Sequence, residues 1–325
     1  MVLIRCCLLL RVSLLRESAM YDTDRWNSPV KYTLAYRLFK QHFTEINRAY
    51  WAFIPVENTI KAQVKREVDE ETVLPVNFFL LHDEDDDRIA RSFHEWRDNF
   101  SLFGIYTRLN MLMMLSSCQE TYLRTVVSMA VESKPGIILG APNSIDGLLL
   151  LKKNKYYSSL GNDKYQFKHK VDSVCSGTWK DRRLAYDALF GSVLDILNKN
   201  IEVLEEMRIK RNIIAHYFGR DKKRYEAPIL LNSEALSGLS HATLIKFLKA
   251  VFDVSTAIDQ DLRTLIGSYD IILFFRNYEA QYYSKSFDIN IKVRARELSK
   301  RLGKSGVLAN GSVFCYRLLS YYYKI

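Results

Sequence analysis

The chain has 325 residues, 48% of them hydrophobic, and a net charge of +10 from 47 Lys and Arg against 37 Asp and Glu. A chain of this length and composition buries a substantial core, so we expect one large or two moderate globular domains and exclude a disulfide-stapled miniprotein. The basic excess favours polyanionic partners such as nucleic acid or an anionic membrane, but charge alone does not choose a function.

Residues 1–19 are apolar but are interrupted by Arg5, Arg11 and Arg16. The runs between these arginines are too short for the apolar region of a signal peptide or for a membrane span. We expect a disordered leader with Met20 as the natural start, and the alternative is an Arg-rich targeting peptide. Because no later segment is long and apolar enough for a membrane helix, we expect no membrane partner and a cytoplasmic location.

The cysteines and the acidic residues show no metal-binding pattern. The five cysteines are scattered, without a C-x-x-C pair or a nearby histidine at zinc-ligand spacing, and are expected to be free thiols in a reducing cytosol (Cys6, Cys7, Cys118, Cys175 and Cys315). Four aspartates between residues 83 and 87 are interpreted as solvated charge before a helix rather than as a metal site. We therefore expect neither a metal nor a cofactor.

Apolar residues recur at helical spacing over residues 28–51, 89–133, 181–223 and 239–266. Pro29 is expected in the first turn of the first helix, and the helical pattern from Asp181 is expected to continue without a break. The predicted fold is mainly α: a helical bundle with a loop-rich insertion between core helices and a C-terminal segment of mixed pattern. The predicted organisation is a leader at 1–19, a helical segment at 20–92, a bundle at 93–267 containing the insertion 135–179, and an extension at 268–325.

The insertion alternates lysines with tyrosines in KKNKYYSSL and KYQFKHK. Such a pattern is either a solvated loop or a surface on which bases stack and phosphates are neutralised. The candidate RNA contacts are Lys153, Lys155, Tyr156, Lys168 and Lys170.

Two motifs near the C-terminus are weak. Gly303-Lys304-Ser305 resembles the end of a phosphate-binding P-loop, but Leu298 stands where that motif requires glycine, so the P-loop is rejected. RARELSKRLGKSG and VFCYRLLSYYYK are candidates for a helix-turn-helix. A DNA-binding regulator therefore remains an alternative, and it requires a compact helix-turn-helix after Asp288.

The stretch IEVLEEMRIKRNIIAHYFGRDKK (201–223) places a charged residue on an apolar face. At about 100° per residue, Arg211 shares a face with Leu204 and Met207, whereas Glu205, Asn212 and His216 share a polar strip beside it. An arginine on such a face needs an anionic or polar partner, since its charge cannot be lost. In the structural interpretation the partner is the Glu120 carboxylate, which orients two helices.

In the functional interpretation Arg211, Asn212 and His216 line one groove that holds a phosphodiester. The guanidinium matches phosphate oxygens and stabilises developing negative charge, and the imidazole moves a proton. Asn212 holds a phosphate or ribose oxygen or fixes the imidazole. On RNA the 2′-hydroxyl is the nucleophile, so this chemistry requires no metal. Glu120 and Glu205 are the supporting carboxylates.

The segment RNIIAH, from Arg211 to His216, resembles the R-x(4–6)-H motif of the HEPN superfamily, nearest the RiboL-PSP-HEPN subfamily. The polar residue directly after the arginine belongs to this pattern. The surroundings are also similar, with QETYLRTVVSMAVES as a first core helix, SGTWKDRRLAYDALFG leading the second, and a closing helix near 239–266. Arg37 to His42 and Arg88 to His94 match the bare motif as well, but neither has an asparagine after the arginine.

The resemblance implies a metal-independent endoribonuclease in which two motif helices meet across a homodimer and form one composite site. It also implies a role as a toxin or in phage defence, with an antitoxin or another regulatory protein as a further partner. Some HEPN members bind RNA or protein without cutting. A non-catalytic HEPN-like binding module, with a structural Arg211, is therefore the alternative.

Overall fold

The computed structural model describes residues 24–67, 73–80, 88–139, 145–153, 167–220, 236–282, 290–304 and 311–325. Within these ranges the protein is mainly α, with twelve helices and no strand. In chain order they are α1 Leu34–Glu67, α2 Pro75–Phe78, α3 Phe93–Ser133, α4 Gly136–Leu139, α5 Gly147–Lys153, α6 Phe167–Cys175, α7 Trp179–Phe190, α8 Asp195–Tyr217, α9 His241–Ile266, α10 Tyr269–Tyr282, α11 Ile291–Lys304 and α12 Gly311–Lys324. The leader at residues 1–19 lies outside the described residues.

The first helix differs from its predicted bounds. It begins at Leu34 rather than at Pro29, because Thr33 caps it: the Thr33 hydroxyl accepts a hydrogen bond from the Tyr36 N–H at 3.1 Å. The helix then continues through the exposed Pro55 to Glu67. A capping hydroxyl therefore sets this helix start, and the proline that precedes it does not.

The prediction of one continuous helix from Asp181 onward is wrong. Helix α7 ends at Phe190, where Gly191 adopts a left-handed conformation at φ 70° and its N–H donates to the Asp187 carbonyl. The motif helix α8 then starts separately at Asp195. A glycine at this position ends a helix because it enters the left-handed region without a Cβ penalty.

Two segments contain more helix than expected. The described part of the insertion includes α4, α5 and α6, and the described part of the C-terminal extension consists almost entirely of α10, α11 and α12. In the insertion, α4 has only four residues and packs against α7, because so short a helix depends on tertiary packing. The mixed pattern expected after Gly267 is thus not what the described residues show.

The chain divides into two compact units, each assembled from separated segments. The described residues of unit 1 lie within Met1–Leu38, Tyr122–Asp195 and Ser255–Ile325, and those of unit 2 lie within Phe39–Thr121 and Ile196–Val254. Five helices, α1, α2, α3, α8 and α9, contribute described residues to unit 2, and the C-terminal parts of α3 and α9 belong to unit 1.

Unit 2 is a bundle of four long helices. Phe39 and Glu57 of α1 contact Cys118 and Arg108 of α3, so these two helices run antiparallel. Helix α9 is also antiparallel to α1, since Phe43 meets Phe252 and Tyr50 meets His241. Helix α8 joins the bundle through ion pairs to α3 and α9. Its buried side chains Leu197, Leu204 and Met207 complete the core.

In unit 1 the shorter helices pair. Helix α6 packs on α7, and α11 packs on α12, which also contacts α10. The buried face of α11 consists of Ala295, Leu298 and Leu302. Six residues separate α11 from α12, more than the turn of about three to four residues in a helix-turn-helix.

Arg25 is the most connected side chain of unit 1, with only 1% of its surface exposed. Its guanidinium binds the Asp146 carboxylate at 2.6–3.0 Å and donates to the backbone carbonyls of Ser133 and Ile266, the last residues of α3 and α9. Burial acts to raise the pKa of Asp146, but hydrogen bonds and the charge of Arg25 lower it overall. The arginine thus caps two helix ends and anchors the segment before α1.

Three carboxyl groups are buried elsewhere in unit 1. Burial raises the pKa of Glu132 to about 8, although a hydrogen bond from the Tyr269 hydroxyl opposes the shift. Burial also raises the pKa of Asp259 and of Asp270 to about 6, against hydrogen bonds that include those from the N–H groups of Thr33 and Leu34. Glu132 is therefore neutral over a wider pH range than the two aspartates.

The apolar character of the helices and the state of the cysteines bear on the predictions from composition. None of the helices in the described ranges combines the length and the apolar character that crossing a bilayer requires. In the described part of the chain Cys118, Cys175 and Cys315 are buried thiols outside any disulfide, and Cys6 and Cys7 lie outside the described residues.

We predict that Arg25→Ala lowers the free energy of unfolding by about 3–5 kcal/mol, because it leaves a buried carboxylate and two helix ends without their cation. Urea denaturation measures the change. Arg124→Ala is the control, since Arg124 and Asp172 form a pair that is 40% and 37% exposed, and such pairs contribute less than about 1 kcal/mol. Equal losses in the two variants would contradict the role assigned to Arg25.

We predict that Glu132→Gln changes the pH dependence of stability. As pH rises from about 4.5, the ordinary pKa, to about 8, the unfolded wild type releases the Glu132 proton while the folded protein keeps it. The free energy of unfolding of the wild type therefore falls across this window, and this part of the fall is absent in the variant. Urea denaturation at pH 5 and pH 8 tests this. Asp259 and Asp270 titrate in both proteins, so parallel profiles would show that Glu132 does not contribute.

Candidate functional site

The motif helix α8 presents different residues to its bundle and to solvent. Leu204 and Met207 are buried, Arg211 follows them on the same face, and the helix ends beyond His216. Towards the C-terminal end this face becomes accessible, since Ala215 and Phe218 are exposed. The site therefore lies where the packed face of α8 emerges from the core of unit 2.

Arg211 is paired with Glu120, as the structural interpretation expects. Its Nη2 lies 3.6 Å from the Glu120 carboxylate on α3, and the two side chains are 29% and 37% exposed. Its Nη1 donates to the Oδ1 of Asn212 at 3.2 Å, whereas its buried Nε has no hydrogen-bond partner among the described residues. A guanidinium has five N–H donors, so the contacts with Asn212 and Glu120 leave part of the donor capacity of the two Nη atoms for an anion.

Asn212 and His216 do not contact each other through a hydrogen bond in the described part of the chain. Asn212 is half-buried and orients Arg211 instead of the imidazole. His216 is exposed, and its ring stands edge-on to that of Tyr217 with the centroids 6.3 Å apart. Five residues of helix separate Arg211 and His216 by about 7.5 Å along the axis and about 140° around it.

Glu205 is paired with Arg208. Its two carboxylate oxygens accept hydrogen bonds from Arg208, one turn later on α8, at 2.6–3.1 Å. These bonds raise the pKa of Arg208. Of the two carboxylates predicted to support the site, Glu120 contacts Arg211 and Glu205 contacts Arg208.

The outward side of α8 carries an apolar stripe next to His216. Ile209 is 46% exposed and Ile213 is half-buried. Together with Ile201 and neighbouring polar residues they line an open depression of about 470 Å³. This stripe belongs to the surface of unit 2 in the described part of the chain.

The other two matches to the bare motif are arranged differently. Arg88 precedes α3, so Arg88 and His94 do not share a helix. Arg37 and His42 do share α1, but Leu38 follows the arginine. The side chains of His42 and His94 are exposed like that of His216, so exposure does not distinguish the three histidines.

The predicted RNA contacts are only partly described. Lys168 and Lys170 lie on α6 with their side chains exposed, and Lys153 ends α5. Lys155 and Tyr156 lie outside the described residues, as do the aspartates between 83 and 87. The described lysines Lys153, Lys168 and Lys170 belong to unit 1, whereas the motif helix beyond Asp195 belongs to unit 2.

Unit 2 contains a second polar cluster that the sequence does not predict. The Tyr50 hydroxyl lies 2.7 Å from Nδ1 of His241. Tyr50 is buried, and this burial raises its pKa. Arg108 donates to the Leu239 carbonyl at 2.7 Å and pairs with Glu57 at 3.4 Å. The cluster fastens the segment before α9 to α1 and α3. No local pattern marks it, because its members come from three separate parts of the chain.

Scans against models of protein families, curated proteins and solved structures gave no match to this chain. The HEPN resemblance therefore rests on the motif residues and their surroundings.

We predict that Gly219→Ala destabilises the protein by about 1–2 kcal/mol, because Gly219, two residues past the end of the motif helix at Tyr217, has φ at 76°, a conformation that costs this much for residues with a Cβ. A Cβ would also stand 2.8 Å from the Leu236 side chain. Gly303→Ala is the control: it lies in α11 with open space around it and is expected to stabilise by up to about 1 kcal/mol. Urea denaturation compares the two, and equal stabilities would contradict the prediction.

Proposed function

We propose that this chain is a metal-independent endoribonuclease of the HEPN type that acts as a homodimer. The observation that carries the proposal is the arrangement on α8: Arg211 is held by Glu120 and Asn212 with donors to spare, and His216 stands exposed one to two turns later. Arginine, an amide and an imidazole are suited to transesterification of RNA.

The proposed reaction uses the 2′-hydroxyl of the substrate as nucleophile. A His216 imidazole accepts the proton of that hydroxyl, the 2′-oxygen bonds to phosphorus, and the bond from phosphorus to the 5′-oxygen breaks. The leaving 5′-oxygen receives a proton, so the products are a 2′,3′-cyclic phosphate and a 5′-hydroxyl. Arg211 binds the non-bridging oxygens and stabilises the charge that develops on them.

A homodimer is part of the proposal because one helix separates the two groups by about 140°. The apolar stripe with Ile209 and Ile213 lies next to His216 and offers a surface for a second α8. Two such helices in contact would bring the arginine of one protomer towards the histidine of the other. Action as a toxin or in phage defence, controlled by an antitoxin or another regulatory protein, belongs to the same proposal.

The second candidate is a non-catalytic HEPN-like module that binds RNA or protein. The ion pair between Arg211 and Glu120 favours it, because this contact already accounts for a charged residue at a helix interface. In that case His216 is an ordinary surface side chain, like His42 and His94.

The test is cleavage of labelled RNA by the purified full-length protein in EDTA, with Arg211→Ala and His216→Ala in parallel. We expect the wild type to cleave and each variant to lose at least about 100-fold in rate, because an acid–base group and a donor to developing charge each contribute at least this much. The Arg211–Glu120 pair is partly exposed and contributes less than about 1 kcal/mol, so Arg211→Ala should remain folded.

The controls are His42→Ala and His94→Ala, which remove exposed histidines of the other two motif matches. They should cleave like the wild type. If the folded protein does not cleave RNA, or if the His216 and His94 variants cleave equally, the binding-module candidate is favoured.

A further inference from the structure

Helix α11 carries the most basic surface among the described helices of unit 1. Its fourteen residues, IKVRARELSKRLGK, contain six Lys or Arg and a single Glu. Its apolar face is already occupied, because Ala295, Leu298 and Leu302 are buried on the side where α12 packs. Its charges therefore face away from the core of this helix pair.

Two of the six cations are paired and serve the fold. Arg294 forms an ion pair with Glu279 at 3.2 Å and lies against the ring of Tyr323. Arg301 binds Glu297, the only carboxylate of the helix, at 2.8 Å and donates to the Tyr278 hydroxyl. These contacts fix the rotation of α11 about its axis.

The other four cations form what we call the basic stripe: Lys292, Arg296, Lys300 and Lys304. All four are exposed, and none forms an ion pair with another described residue. They recur every four residues, so they follow one side of the helix at steps of about 6 Å. Like charges at this spacing destabilise a helix, and a bound polyanion would remove their repulsion.

We propose that the basic stripe binds the phosphodiester backbone of single-stranded RNA. The choice of RNA rests on the proposed function, whereas the phosphate chemistry rests on the stripe itself. Lysine and arginine supply ion pairs to phosphates without reading the bases. The stripe would therefore hold substrate strands of many sequences.

The composition of α11 argues against an anionic membrane as the ligand. A helix that lies in a membrane interface inserts a face of large apolar side chains. On α11 those side chains are buried, and Val293 is the only large apolar residue exposed along its described length. Phosphate binding requires no such face.

The test uses a fluorescent 2′-O-methyl RNA oligonucleotide, which keeps the phosphates but lacks the nucleophile and so is not cleaved. Its affinity for the full-length wild type is measured by anisotropy over a range of salt concentrations. The stripe variant replaces Lys292, Arg296, Lys300 and Lys304 by Gln. We expect weaker binding at every salt concentration and a slope of log K against log salt that is smaller by about three, roughly 0.7 for each lost phosphate contact.

A matched control removes the same number of charges from exposed lysines on four other helices, with Gln at Lys65, Lys180, Lys199 and Lys249. Its salt slope should remain close to that of the wild type. The proposal is overturned if the stripe variant binds like this control, or if the wild type does not bind the oligonucleotide. It is also overturned if the stripe is needed for binding phosphatidylserine vesicles but not for binding the oligonucleotide.

Cleavage of unmodified RNA is measured separately on the same proteins. If the wild type does not cleave but binds the oligonucleotide through the stripe, the nuclease proposal fails and the stripe proposal is supported. If the wild type cleaves and the stripe variant has the salt slope of the wild type, the nuclease proposal is supported and the stripe proposal fails.

Discussion

The turn of about 100° per residue in an α-helix is the constraint on which the surfaces of this protein depend. On α8 a spacing of five residues directs Arg211 towards Glu120 of the bundle and leaves His216 exposed. On α11 a spacing of four residues keeps four cations on one exposed side, while the arginines at 294 and 301 reach carboxylates. The same period therefore separates two groups in one helix and aligns four groups in another.

Unit 1 accommodates buried ionisable side chains in two different ways. Arg25 remains charged, because its fork of donors is matched by a carboxylate and by helix carbonyls that carry partial negative charge. Among the described residues, the Tyr269 hydroxyl donates to one oxygen of Glu132 and the other oxygen has no partner, and burial raises the pKa of Glu132, which favours the neutral form. A cation that cannot be neutralised must be fully paired, whereas a carboxylic acid can avoid the desolvation cost by keeping its proton.

Much of the secondary structure could be predicted from sequence, since apolar residues at helical spacing predict the long helices α3, α8 and α9. The break at Gly191 could have been predicted too, because glycine is the usual residue at a helix end. Glu120 was a correct expectation for the partner of Arg211, as both lie on neighbouring core helices. The contacts of Arg25 and of Tyr50 with His241 were not predictable, because they join residues more than 100 positions apart.

The division into two units separates the two proposed roles. The motif helix beyond Asp195 belongs to unit 2, and the basic stripe belongs to unit 1. The chemistry proposed for Arg211 and His216 depends on orientation within a few ångströms, which a packed four-helix bundle provides. The binding of an RNA strand proposed for the basic stripe depends on charge over about 18 Å of helix surface. Such binding tolerates small displacements, because phosphates carry no sequence information. Each unit therefore suits the role proposed for it: a helix end packed in a bundle for the proposed reaction, and a row of exposed cations for the proposed RNA strand.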